Sequence, residues 1–115
     1  MLPVDEFELL VENALRGIPW RFRRQMENVA IVVEREPRRP GLLGLYEGRP
    51  LASRSVFEGF AMPDKITIYQ GPHERLARTR AQLEQMVADT VWHEIAHHFG
   101  MDEAQVRKAE RRRGI

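Results

Sequence analysis

The sequence predicts an α+β fold: a small mixed sheet packed against an N-terminal helix and one long helix, with a short C-terminal helix after it. Three observations predict it. Apolar residues recur at helical spacing over residues 5–16 and again over 74–99, and the stretch between holds short β-branched runs cut by Pro and Gly. The 115 residues suffice for one core and one domain without a staple of disulfides or metal. With 43% apolar and 30% charged residues the composition is that of an ordinary globular chain. No apolar run approaches the ~18 residues that a membrane span needs.

The elements follow in order. Phe7, Leu10, Val11, Ala14, Leu15 and Ile18 give the i, i+3, i+4, i+7 face of a helix over residues 5–16. Asp5 and Glu6 suit its N-terminus, and Gly17 before Pro19 stops it. Val29, Ile31, Val32 and Val33 make residues 28–34 a strand. Pro37, Pro40 and Gly41 break the chain, and residues 42–46 form a short strand closed by Gly48 and Pro50. Residues 50–64 carry a weak signal, in which 55–60 fits a strand or an ordered loop. Ile66, Thr67, Ile68 and Tyr69 mark a strand over 65–70, closed by Gly71-Pro72. From Glu74 to Phe99 nothing breaks a helix. Leu83, Val87, Val91, Ile95 and Phe99 form its ridge, and Met86, Ala88, Trp92 and Ala96 widen it, so burial on more than one side is expected. Gly100 ends it. Asp102 caps a last short helix, with Gln105 three residues on. The tail from Arg107 to Arg113 is basic and reads as solvated.

Charge and cysteine content narrow the chemistry. Lys and Arg number 18 against 17 Asp and Glu, and a net charge of +1 argues against a nucleic-acid or anionic-membrane partner. The absence of Cys excludes disulfides, thiolate metal sites and Cys nucleophiles. It fits a reducing compartment, and Met1-Leu2-Pro3-Val4 lacks the basic start and apolar run of a secretory signal, so a cytoplasmic location is expected. Any transition metal must then use His, Asp, Glu or water. Of four His, three lie close together: His93, His97 and His98.

Two of these, His93 and His97, make an HExxH stretch, His93-Glu94-Ile95-Ala96-His97, inside the long helix, with His98 directly after it. At 3.6 residues per turn, positions i and i+4 lie one above the other, so both imidazoles can converge on one Zn²⁺. Glu94 is one step round, beside the metal without ligating it, where it can act as general base toward a zinc-activated water. A third protein ligand is needed. Only 18 residues follow His97, too few for a second long helix, whereas Gly100 allows the chain to turn back and return Glu103 to the metal. That gives His93, His97 and Glu103 as ligands in HExxHxxGxxE, with Asp102 the competing carboxylate. His98 points about 100° away and reads as a packed or hydrogen-bonded His. Asp89, one turn before His93, fits either an orienting carboxylate or an exposed helix Asp. His73, in a Gly-Pro-His loop, reads as surface. Tyr46 and Tyr69 fit strand packing better than oxyanion stabilisation.

With these residues in place the sequence resembles the small bacterial zincin-like metallopeptidases, a minimal metalloprotease-like group with an HExxHxxGxxD/E motif. Beyond His93–Glu103 the resemblance includes Asn28-Val29-Ala30-Ile31-Val32-Val33, Leu42-Leu43-Gly44-Leu45-Tyr46-Glu47-Gly48 and Pro63-Asp64-Lys65-Ile66-Thr67-Ile68-Tyr69. It implies a zincin-type α+β fold, one zinc ion on His93 and His97, and Glu94 as catalytic acid/base. The family usually has Asp as third ligand where this chain has Glu103. The motif also resembles that of the metzincins, but no Met follows Met101 to form their Met-turn. The expected function is zinc-dependent hydrolysis of a peptide or protein substrate. Two alternatives remain open: a zinc hydrolase acting on RNA, motivated by the basic tail, and a non-catalytic metal-stabilised interaction module. Oligomeric state is not legible.

Overall fold

A computed structural model describes residues 1–26, 28–48, 64–100 and Lys108. The elements are α1 (Val4–Arg16), α2 (Trp20–Arg23), β1 (Val29–Glu34), β2 (Gly44–Glu47), β3 (Asp64–Tyr69), α3 (Gln70–Leu76) and α4 (Arg80–His98). Mixed helix and sheet is the α+β class expected. The expectations for residues 55–60, for the Asp102-capped helix and for the tail beyond it lie outside the described residues.

The sheet has strand order β1-β3-β2, with β1 parallel and β2 antiparallel to the central β3. Register aligns Ile31, Ile66 and Tyr46 across the three strands. Period-2 alternation then puts Asp64, Ile66 and Ile68 on one face and Lys65, Thr67 and Tyr69 on the other. Ile66 and Ile68 meet Val87, Val91 and Ile95 of α4 and Phe7, Leu10 and Val11 of α1 in one buried cluster. Burying side chains of this size stabilises by roughly 1.5–3 kcal/mol each before conformational entropy is counted. Ile18 ends in the same core, and Pro19 directs the chain out of α1 and caps α2, its carbonyl accepting from Phe22 N at 2.9 Å. α2 is too short to leave a periodic signal. It places Phe22 edge-on to Trp92 and Phe99 of the α4 end, at 5.9 and 5.6 Å between ring centres.

Two sequence expectations are corrected here. Gly71-Pro72 does not close the strand into a loop but lies in the first turn of α3. A proline is tolerated there because its missing N–H would have no helical acceptor. Gly71 is favoured for another reason: a Cβ would lie 2.8 Å from the Arg35 carbonyl oxygen, a backbone atom, and would displace the Glu36 carboxylate, while the Gly71 amide donates to that same Arg35 O at 2.8 Å. The helix is also not continuous from Glu74 to Phe99. It breaks at residues 77–79, and Thr79 starts α4 by accepting from Gln82 N at 3.1 Å through its side chain. Gln82 Oε1 reaches back to Arg78 N at 2.8 Å, close to a capping box. At the other end Gly100 has φ +86°, the left-handed stop expected, and its amide donates to His97 O at 2.9 Å.

Candidate metal centre

α4 is buried on several sides, as its wide apolar ridge requires, but His93 and His97 are only half-buried. Their ring centres lie 5.0 Å apart at 72°, so the i, i+4 spacing does bring both imidazoles to one side of the helix. Glu94 is 8% exposed and lines a cleft together with His93, Thr90 and Asp89. The opposite wall is residues 41–44, and the cleft encloses about 460 Å³.

Gly44 sets the width of this cleft. A Cβ there would lie 2.8 Å from Thr90 Cγ2 and 3.0 Å from Glu94 Cγ. β2 therefore approaches α4 at Glu94 more closely than any other residue allows. Two residues on, Tyr46 donates its hydroxyl to Asp64 Oδ2 at 2.6 Å, and the same oxygen lies 2.8 Å from His98 Nδ1. Asp64 and His98 are buried, so this cluster ties the residue after His97 to the start of β3 and to β2. His98 is thus the hydrogen-bonded packing residue expected. The Tyr46 hydroxyl hydrogen is committed to Asp64, and Tyr69 faces the other side of the sheet, so both keep the packing role. Asp89 lines the cleft beside His93, with Oδ1 accepting from Gln85 Nε2 at 2.7 Å.

His73 is a correction. It is not on the surface but fully buried, because α3 begins at Gln70 and turns it inward. Its Nδ1 lies 2.6 Å from Tyr69 O and its Nε2 2.8 Å from Thr90 Oγ1. A carbonyl only accepts, so Nδ1 carries the hydrogen. Burial pushes the ring below the ordinary histidine range, only partly opposed by the Tyr69 carbonyl bond. Thr90 Oγ1 also reaches Met86 O at 3.0 Å as a donor, so its single hydrogen is shared between that carbonyl and the Nε2 of the neutral ring. In the sequence the only sign of this role is the His itself; nothing local marks Thr90 as its partner.

The donor set suits a metal of the zinc class: two imidazoles on one open face, with a carboxylate and a cleft beside them. Among the described residues no group of three ligating side chains comes together. Glu103 and Asp102, the third-ligand candidates, lie outside the described residues.

Comparison with known proteins decides the family. The model of the zincin-like metallopeptidase family matches residues 26–113, most of the chain. The chain belongs to the zincin-like metallopeptidase family. No curated protein matches. A solved structure of a conserved hypothetical protein from Thermus thermophilus is similar to this zincin-like chain: 29% identity, TM-score 0.57, covering 85% of this chain and 94% of that one. Among the described residues no helix is long and apolar enough to cross a membrane.

Proposed function

We propose that this zincin-like chain is a zinc-dependent peptidase in which Glu94 is the general base. The observation that carries the reading is the pairing of His97 with His93, which lines one cleft together with Glu94. His93 and His97 would hold the ion, with Glu103 as third ligand and Asp102 its competitor. Zinc bound there would polarise the scissile carbonyl and acidify the attacking water. Glu94 takes the proton of that water and returns it to the leaving amine. Its burial beside Gly44 holds the carboxylate close to β2 and limits its rotamers. Among the described strands β2 is at a sheet edge, which suits an extended peptide laid beside it.

The test is metal content together with a peptide-library digest of the wild type and Glu94→Gln. About one zinc per chain is expected in both proteins, with hydrolysis only in the wild type. Undiminished turnover in Glu94→Gln would refute the assignment. His93→Ala and His97→Ala should each lose the metal.

A further inference from the structure

The cleft beside His93 has a charge pattern that the hydrolytic step does not use. Its lining carries two carboxylates, Asp89 and Glu94, and no Lys or Arg. Glu94 is the general base of the peptidase reading, whereas Asp89 has no part in that step. Asp89 is half-buried on α4, one turn before His93 and on the same side of the helix. Its Oδ1 accepts from Gln85 Nε2 at 2.7 Å, which holds the carboxylate at the cleft. The Gln85 amide is a neutral donor, so it orients the charge without cancelling it. Among the described residues no Lys or Arg forms an ion pair with Asp89. A hydrogen bond from a cationic donor to such a carboxylate is about twice as strong as one between neutral groups.

The rest of the cleft narrows what that cation belongs to. The opposite wall, residues 41–44, is two glycines and two leucines, Leu42 and Leu43, and carries no charge. Lys and Arg side chains lay their methylene stems on apolar surface while the charged head reaches a polar partner. The cleft encloses about 460 Å³, enough for such a side chain with adjoining backbone. Four helix residues separate Asp89 from His93 by about 6 Å along the axis. An extended peptide advances about 3.3 Å per residue. A peptide bond held for attack at His93 and Glu94 therefore brings a residue at most two positions away level with Asp89. We propose, resting on the peptidase reading, that Asp89 selects substrates with a lysine or arginine within two residues of the scissile bond. Asp89 binds the ammonium or guanidinium, Leu42 and Leu43 cover the stem, and the same charge repels Asp and Glu from this position. Asp89 acts on substrate binding and not on the proton transfer of Glu94.

The experiment compares three acetylated, amidated heptapeptides of alanine with Lys, norleucine or Glu at the centre. Norleucine keeps the stem of Lys without its charge. The wild type should cut the Lys peptide with a kcat/KM about five- to tenfold above that of the norleucine peptide, mainly through KM, and the Glu peptide most slowly. Mass spectrometry should place the cut within two residues of the Lys. Asp89→Asn should bring the Lys-to-norleucine ratio close to one, and Asp89→Lys should reverse the order of Lys and Glu. If Asp89 only positions His93, Asp89→Asn lowers all three rates by one factor and leaves the ratio as it was, which would overturn the proposal. Equal rates for Lys and norleucine in the wild type, or a cut farther away, would overturn it without any variant and leave the peptidase reading intact. Binding is read separately in Glu94→Gln, which prevents cleavage, by amide shifts. The Lys peptide should bind about five- to tenfold more tightly than the norleucine peptide. If the wild type cuts none of the peptides, the peptidase reading loses its support and this binding ratio decides the role of Asp89. A ratio near one, or no binding at concentrations on the order of 10 mM, overturns that role, and tighter binding of the Lys peptide upholds it.

Discussion

Replacing Gly44 by Ala probes the contact on which the cleft depends. The new methyl would sit 2.8 Å from Thr90 Cγ2, 3.0 Å from Glu94 Cγ and 3.2 Å from Thr67 O. Carbon atoms pack at about 3.5–4.0 Å, so β2 and α4 must separate by roughly 0.7–1 Å. Overpacking of this kind costs about 1–3 kcal/mol, or roughly 4–12 °C in melting temperature for a chain of this size. Glu94 moves with the helix surface, and a displacement near 1 Å should lower peptide turnover by about 100-fold. Thr90→Ser removes the nearest methyl while keeping the hydroxyl on His73. The double substitution should therefore recover at least about 1 kcal/mol relative to additivity. Thermal and urea unfolding of the four proteins close the cycle. Additive effects, or a Gly44→Ala protein as stable as the wild type, would refute the close approach of β2 to Glu94.

Two further outcomes follow from the buried polar groups. Burial holds the folded His73 below its ordinary value of 6.5, so between the two values the unfolded chain binds the extra proton. Its contribution to stability is full above that value and is lost as pH falls toward the depressed folded value. Urea unfolding at pH 7.5 and 5.5, in chelator, should show a larger acid loss in the wild type than in His73→Gln, and equal losses would remove the argument. Tyr46→Phe deletes one bond to the buried Asp64 carboxyl and should cost about 1–3 kcal/mol by urea unfolding, whereas an unchanged midpoint would mean Asp64 does not depend on it.

What is legible in the sequence is what depends on near neighbours. α1 shows itself because Phe7, Leu10 and Val11 repeat at helical spacing, and β3 because Ile66 and Ile68 alternate with polar residues. The pairing of His93 with His97 needs only one helical turn. The start of α4 is also written locally, in Thr79-Arg80-Ala81-Gln82, but the unbroken helical run from Glu74 onward masks it. His73 reads as surface because Gly-Pro signals a breaker, whereas here it opens a helix directly after a strand. The Asp64–His98 contact spans 34 residues and the Tyr46–Asp64 contact 18, and neither pattern nor propensity carries such distances.

Those long-range contacts explain why a short strand can govern the site. β2 touches α4 twice on one face, Gly44 at Glu94 and Tyr46 through Asp64 at His98. Two strand residues advance about 6.6 Å and four helix residues about 6.0 Å, so the two elements stay in step over this interval. Each alternate residue of the strand thus meets one turn of the helix, and His97 lies between the two points of attachment. The intervening Leu45 faces the other side of the sheet, as the period of 2 demands. A one-residue slip of β2 would exchange these faces. It would place the Leu45 side chain against Thr90 and Glu94, where even a methyl is too large, and remove the Tyr46 hydroxyl from Asp64. The same close contact that positions Glu94 therefore also fixes the register of the strand.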